Sequence, residues 1–492
     1  MLFNSLQFLI FFPIVLLIYY AIPNRAKQSW LLIASYFFYM CWNAKYALLL
    51  FTSTIVTFLS GILINKARSL SRRRMKYVVA GSFIINLSIL FFFKYFNFAM
   101  DLFQKTAGLM HITLYVPTLD LILPVGISFY TFQALSYTVD VYRGDVDAEK
   151  NFITYALYVS FFPQLVAGPI ERSKNLLSQL KTHSKFDFNR FLDGSMLMLW
   201  GYFLKVVLAD RIAVFVDTIY GDIEHYSGTY LLVATILFAV QIYCDFAGYS
   251  TIAVGAAKIM GINIMENFNA PYLSTSVGMF WRNWHISLTS WFKDYLYIPL
   301  GGSRKGQNHK YINKLIVFLV SGLWHGAELS YVVWGGLNGL YQIIGEILAP
   351  VRTKLNSAFG LNKETYGHKA VEMLFTFALV DFSWIFFRAR NINEALHIIK
   401  SILTTYNPWV LLDGSLYSCG LNSKEFWAMI ICIGVLLWSD IQKKKGIVIR
   451  NVILAQEGWC KVVILAVAVC VILVFGIWGT GYNDSSFIYF QF

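Results

Sequence analysis

Charge is what this sequence has least of. Of its 492 residues, 40 are basic and 27 acidic, 14% together, roughly half the share in an ordinary soluble domain. With 57% hydrophobic and 17% aromatic residues, the composition is that of a polytopic membrane protein. Cysteine is sparse and unpatterned. Cys41, Cys244, Cys419, Cys432, Cys460 and Cys470 form no CxxC pair and keep no regular spacing, which argues against a disulfide framework and leaves them as small apolar residues. No HxxxH or HExxH pattern occurs, so no metal is expected. Internal repeats and low-complexity tracts are also missing. The first apolar run, 6–22, has neither a basic leader nor a small-residue cleavage site, and reads as a retained helix.

What is present is a series of apolar runs divided by basic clusters. Runs at 6–22, 30–42, 47–64 and 77–98 are separated by one loop holding Arg25 and Lys27 and another holding Lys66, Arg68, Arg72, Arg73, Arg74 and Lys76. Cytoplasmic loops carry such clusters, so the net charge of +13 marks orientation and implies no nucleic-acid partner. Placing both loops inside leaves the amino terminus outside. The runs near 121–139 and 152–168 both end in partly basic flanks, which predicts that one of them enters and leaves on the same face. Such backbone is tolerated only inside protein or beside water. Further runs lie at 191–216, 230–246, 315–350, 371–387, 426–437 and 462–477, and the 315–350 segment is expected to dip in and return. Between 248 and 311 the pattern weakens, which marks a site rather than a linker. Counting from Lys443, Lys444, Lys445 and Arg450 places the tail from Gly479 outside. Arg388, Arg390 and Lys400 misfit, because they follow a span that runs outward. The expectation is an all-α protein with roughly 11 to 13 membrane segments, re-entrant ones included. It forms one integral domain over 1–492, with N-terminal helices in 1–120, a core in 121–400, and C-terminal helices and an extracytoplasmic tail in 401–492.

Two stretches carry the candidate chemistry: FWRNWHISLTSWFKDYLYIPLGG from Phe280 to Gly302, and SGLWHGAELSYVVW from Ser321 to Trp334. Each holds one histidine, His285 or His325, after a tryptophan, Trp284 or Trp324. A lone histidine among apolar residues is commonly a hydrogen-bonded core residue. Two of them, in irregular backbone at membrane depth, favour a functional pair. A neutral imidazole has the basicity to take a proton from a hydroxyl or thiol, and burial disfavours its charged form. Gly326 is expected to let a substrate approach the backbone beside His325. Asn283, Ser287 and Thr289 stand close in sequence to His285 for hydrogen bonding. The stretch QIYCDFAGYS adds Gln241, Tyr243 and Asp245; Asp245 is either the partner of a buried base or a helix-end carboxylate. The Gly301–Gly302 turn, with Arg304 and Lys305, is either a cytoplasmic loop or a contact for a phosphorylated donor.

Together these residues resemble a known family. WRNWHISLTSWFKDYLYIPLGG with SGLWHGA is similar to the membrane-bound O-acyltransferases, in the bacterial branch that serves alginate and peptidoglycan O-acetylation. GISFYTFQALSYTVDVYRG (126–144), FFPQLVAGPIERSKNLLSQL (161–180), QIYCDFAGYS, FSWIFFRARNINEAL (382–396) and FIYFQF (487–492) resemble the same branch, in order. The resemblance implies a helical shell around a transmembrane tunnel in the bacterial plasma membrane. It places His325 at the family's invariant histidine, as general base or acyl carrier, and His285 at its polar partner position. Asn283, Trp284, Trp324, Gln241, Tyr243, Asp245 and Ser287 would line the substrate path, and Arg304 and Lys305 would meet the donor. It further implies no tightly bound cofactor, acetyl-CoA or an acyl-carrier protein as the cytoplasmic donor of the acyl group, and an extracytoplasmic O-acetyltransferase partner that receives it for a polysaccharide. The tail's FIYFQF resembles the end of a small peptide of the teichoic-acid D-alanylation system, which implies Tyr489 as an acyl relay; an interfacial aromatic anchor is the other reading. Two further functions stay open: D-alanyl transfer to teichoic acid from a carrier protein, and a proton-coupled transporter, which predicts repeats.

Overall fold

The computed structural model describes residues 1–112, 119, 123–182 and 184–478, and all regular structure among them is helical. Helix starts follow from local sequence. Ser5 Oγ accepts the Phe8 N–H, and Asn422 with Glu425 forms a reciprocal capping box, satisfying N–H groups that a first turn leaves without partners. Among the described residues six helices are long and apolar enough to cross a bilayer: Ala44–Arg68, Arg72–Leu109, Thr229–Ile259, Tyr366–Arg388, Ser423–Lys444 and Gly458–Phe475. Leu6–Ala21 is apolar but shorter. One expected boundary moves: the run placed at 230–246 continues as helix to Ile259. Gly248 does not interrupt it, and a Cβ there would lie 2.8 Å from Gly201 O and 2.9 Å from the Lys205 backbone N. This glycine therefore serves helix packing rather than a break.

The chain forms two compact units. The first comprises Met1–Met198 and Tyr249–Met265. Phe162 anchors an aromatic core there, 5.5 Å from Phe11 and 5.6 Å from Phe38. Of the two runs of which one is expected to be re-entrant, 152–168 is cut into Phe152–Ser160 and Phe162–Leu165. Nine residues make about 14 Å of helix, roughly half the hydrocarbon thickness, so this element does not cross. Its end is nevertheless satisfied. Tyr158 O accepts from Gln133 Nε2 at 2.6 Å and Gln164 Nε2 at 2.8 Å, and the Phe162 N–H donates to Ser35 Oγ at 3.1 Å. Backbone that stops at membrane depth needs such partners from protein.

The second unit comprises Leu199–Gly248 and Glu266–Phe492 and holds both histidine stretches. The segment expected to dip and return is a hairpin of two 19-residue helices, Gln307–His325 and Leu329–Ile347. A Cβ at Gly322 would collide with Tyr331 O, and one at Gly335 with Phe318 O, so the two antiparallel backbones are in direct contact. The misfitting Arg388 also finds its reason here: its guanidinium meets Asp217 at 2.6 Å and lies 5.2 Å above the Tyr220 ring. It is a partnered helix-end residue.

Gly335→Ala is expected to lower the stability of the detergent-solubilised protein by about 1–3 kcal/mol, the usual effect of overpacking. Gly345→Ala, where the added Cβ meets nothing within 4 Å, is expected to be neutral or slightly stabilising. Thermal unfolding of the two variants provides the comparison.

Candidate active site

Two seven-residue helices, Val277–Asn283 and Ile286–Phe292, are joined through Trp284 and His285. His285 has φ 43° and ψ 56°, a left-handed conformation that costs a non-glycine residue about 1–3 kcal/mol unless its surroundings hold it. Asn267 does the holding: its backbone O accepts the Ile286 N–H at 2.9 Å and its Oδ1 accepts the Ser287 N–H at 3.2 Å. A second tie runs from the Asn269 N–H to Asn283 O at 3.0 Å. Asn283 Nδ2 donates to Ser274 Oγ at 3.1 Å, and Thr289 Oγ1 to Trp284 O at 3.2 Å. These side chains brace the turn on which the imidazole stands. Ser287 Oγ is buried with no hydrogen-bond partner among the described residues.

His325 closes the first arm of the hairpin. Its ring lies edge-on to Trp324 at 4.9 Å, to Trp334 at 5.0 Å and to Phe387 at 5.4 Å. His285 stands 6.1 Å from the same Trp324 and 4.6 Å from Phe246. Two histidines forty positions apart in sequence therefore share one indole, and both are buried, at 1% and 4% exposure. Beyond them Trp384 stacks on Trp334 at 5.6 Å and meets Trp284 at 5.2 Å. Asn338 fastens this shell: its Oδ1 accepts from Trp281 Nε1 at 3.1 Å, and its Nδ2 donates to Trp334 O at 2.9 Å and Ser383 Oγ at 3.1 Å. His285 lies outside the six long apolar helices, and burial pulls its pKa well below the ordinary imidazole value. The ring is thus neutral at pH 7 and can accept a proton.

Asp245 lies in mid-helix, so the helix-end reading is set aside. It pairs with Lys205 Nζ at 2.6 Å, and the same ammonium meets Asp210 at 2.8 Å, with all three side chains 2–3% exposed. A charge buried this deeply is tolerable only with such partners. Lys205 sits in a widened helical turn, Phe203–Ala209, a feature common near functional sites. Tyr243 donates its hydroxyl to the Asp440 carboxylate at 3.1 and 3.2 Å, and its ring is 6.0 Å from Trp284. Gln241 is buried, with Oε1 lacking a hydrogen-bond partner among the described residues. Gly326 is not an opening for substrate, because the Tyr331 ring occupies the place a Cβ would take. Arg304 and Lys305 are exposed just before Gln307–His325, about 28 Å of helix from His325, so they do not join the histidines. Tyr489 lies outside the described residues.

Sequence reasoning missed Asn267, Lys205, Asn338 and Asp440. For Lys205 a signal existed: a single lysine within the apolar run 191–216 requires a carboxylate partner. No metal-holding group of three or more His, Cys, Asp or Glu occurs among the described residues.

The profile of the membrane-bound O-acyltransferase family matches residues 146–375, the interval that contains both histidines and the glycine hairpin. The chain belongs to this family and is a multi-pass membrane O-acyltransferase. It is 36% identical to the probable alginate O-acetylase of Pseudomonas aeruginosa over 444 residues, 90% of this chain and 82% of the relative. With the peptidoglycan O-acetyltransferase of Helicobacter pylori it shares 32% identity over 435 residues, 82% and 80% of the two chains. Similarity to the teichoic acid D-alanyltransferase of Bacillus subtilis is 27% over 298 residues, 59% and 72%. Membership in an enzyme family leaves no place for the transporter reading.

Asn267→Ala is expected to slow acyl transfer by about 10- to 100-fold, the scale of a small misplacement of a catalytic group. Asn267→Asp keeps an oxygen that accepts the Ser287 N–H and is expected to retain more of the rate. Turnover per folded protein in proteoliposomes measures the difference.

Proposed function

We propose that this chain takes an acetyl group from a cytoplasmic thioester, acetyl-CoA, and passes it across the bacterial plasma membrane for O-acetylation of an extracellular or cell-wall polysaccharide. The indole shared by His285 and His325 carries the reading. It lies within the interval matched by the family, in a chain similar over 82–90% of its length to alginate and peptidoglycan O-acetylating relatives, against 59% for the D-alanyltransferase.

His325 acts as general base toward the accepting hydroxyl, and His285 as its orienting partner. A positioned base of this kind is worth about 10²–10⁴ in rate. The aromatic shell excludes water, which would otherwise compete for the thioester. Arg304 and Lys305, at the far end of the same helix, meet the donor's phosphates as cations. The acetyl group is small enough for a narrow tunnel, so the polymer stays outside and an extracytoplasmic O-acetyltransferase completes the transfer. The Tyr489 phenol carries the acetyl group between the two.

The test supplies radiolabelled acetyl-CoA to the purified protein in liposomes with a soluble hydroxyl acceptor. His325→Ala, folded to the same extent as wild type, is expected to lose about 100-fold or more of the transfer. Transfer from a carrier-protein thioester but not from acetyl-CoA would replace the donor and bring forward D-alanyl transfer. No transfer from any thioester would overturn the reading. Tyr489→Phe keeps an aromatic anchor and removes the hydroxyl; full activity in that variant would end the relay.

A further inference from the structure

The hairpin holds two buried polar groups, one of them beside His325, that general-base chemistry alone does not use. Ser330 and Trp334 are each 1% exposed, and neither Ser330 Oγ nor Trp334 Nε1 has a hydrogen-bond partner among the described residues. Buried indole N–H groups usually find a partner, because leaving one unmade costs about 1–3 kcal/mol. The two residues are four apart on Leu329–Ile347, so their side chains lie on one face, a turn apart. On that face the Trp334 ring reaches 5.0 Å from the His325 ring at an interplanar angle of 87°. The indole has little freedom to turn. Trp281 and Trp384 each stand 5.6 Å from it, Phe387 stands 5.1 Å away, and its backbone O receives Asn338 Nδ2 at 2.9 Å. Two donors on one helix face, at least one of them rigidly set beside the base, form the arrangement that stabilises a developing negative charge.

We propose that Trp334 Nε1–H and Ser330 Oγ–H are the oxyanion donors of the acyl transfer. The inference rests on the reading of His325 as the base of that transfer. His325 takes the proton of the acceptor hydroxyl as its oxygen bonds to the thioester carbonyl carbon. The carbonyl π pair moves onto the carbonyl oxygen, and the tetrahedral oxyanion accepts hydrogen bonds from Trp334 and Ser330. On collapse the C=O re-forms, the C–S bond breaks with its electron pair going to sulfur, and the imidazolium returns the proton to the thiolate. The products are an ester and a thiol, and the protein ends as it began. Fixed donors in a dry site act more strongly than in water and need no reorganisation during the step.

The experiment measures steady-state acyl transfer in proteoliposomes for wild type, His325→Ala, Trp334→Phe and Ser330→Ala, with unfolding transitions recorded for each. Trp334→Phe keeps an aromatic ring and removes the N–H; its kcat is expected to fall about 100-fold, as for loss of one oxyanion donor. Its donor KM is expected to change by no more than about twofold, because the interaction belongs to the transition state. Ser330→Ala is expected to lose about 10-fold in kcat, and it alone decides the matter if Trp334→Phe does not fold. Folded variants with kcat within about threefold of wild type, or a loss expressed only in KM, overturn the inference. If wild type is active, His325→Ala is silent and these variants are normal, the acyl-transfer reading stands and only the oxyanion assignment falls. If wild type transfers no acyl group, both fall.

Discussion

Direct backbone contact between the two arms of the hairpin is the constraint on which the His325 site depends. Helices separated by ordinary side chains pack 8–10 Å apart, as a rough rule. Gly322 and Gly335 remove the side chains where Gln307–His325 meets Leu329–Ile347, at Tyr331 O and Phe318 O. Close approach through small residues is how helices associate in a medium that offers no hydrophobic drive between them. It also shortens the connection to the few residues from Gly326 to Glu328, with the Tyr331 ring filling the space beside Gly326. His325 is the last residue of its arm, so its position is inherited from the backbone contact behind it.

The His285 side of the site is built by the opposite means. There the backbone is strained rather than close-packed, and Asn267 holds the left-handed turn with both its main-chain and side-chain oxygens. The two devices converge on Trp324, whose ring touches both imidazoles. Next to this shell, Lys205 sits between Asp210 and Asp245. Asp245 precedes Phe246, the ring edge-on to His285, so the buried ion group also fixes the helix turn that presses on the histidine. Charge is rare in this chain, and this buried group of three lies one residue from the ring that meets His285.

Much of this was legible in the sequence. Apolar runs and basic loops mark the helical class, and LWHG and NWHIS mark the two histidines. What could not be read was the pairing. A spacing of forty residues carries no information about a shared indole, and Asn267 is an unremarkable polar residue until its two oxygens are seen at the N–H groups after His285. A glycine beside a histidine permits an opening for substrate at Gly326; only the Tyr331 ring shows that the space is filled. Hydropathy likewise ended the Thr229–Ile259 helix too early, because polar and small residues that lower apolarity can still be excellent helix-packing residues when buried. The aromatic tail at Tyr489 lies outside the described residues.

The central claim is that the acyl group leaves a thioester on one side of the membrane and reaches a hydroxyl on the other. The most direct measurement seals a hydroxyl acceptor inside proteoliposomes, adds labelled acetyl thioester only outside, and removes outer acceptor by gel filtration. The account predicts labelled ester inside intact vesicles, dependent on His325. Ester formed only when donor and acceptor share a compartment would contradict it.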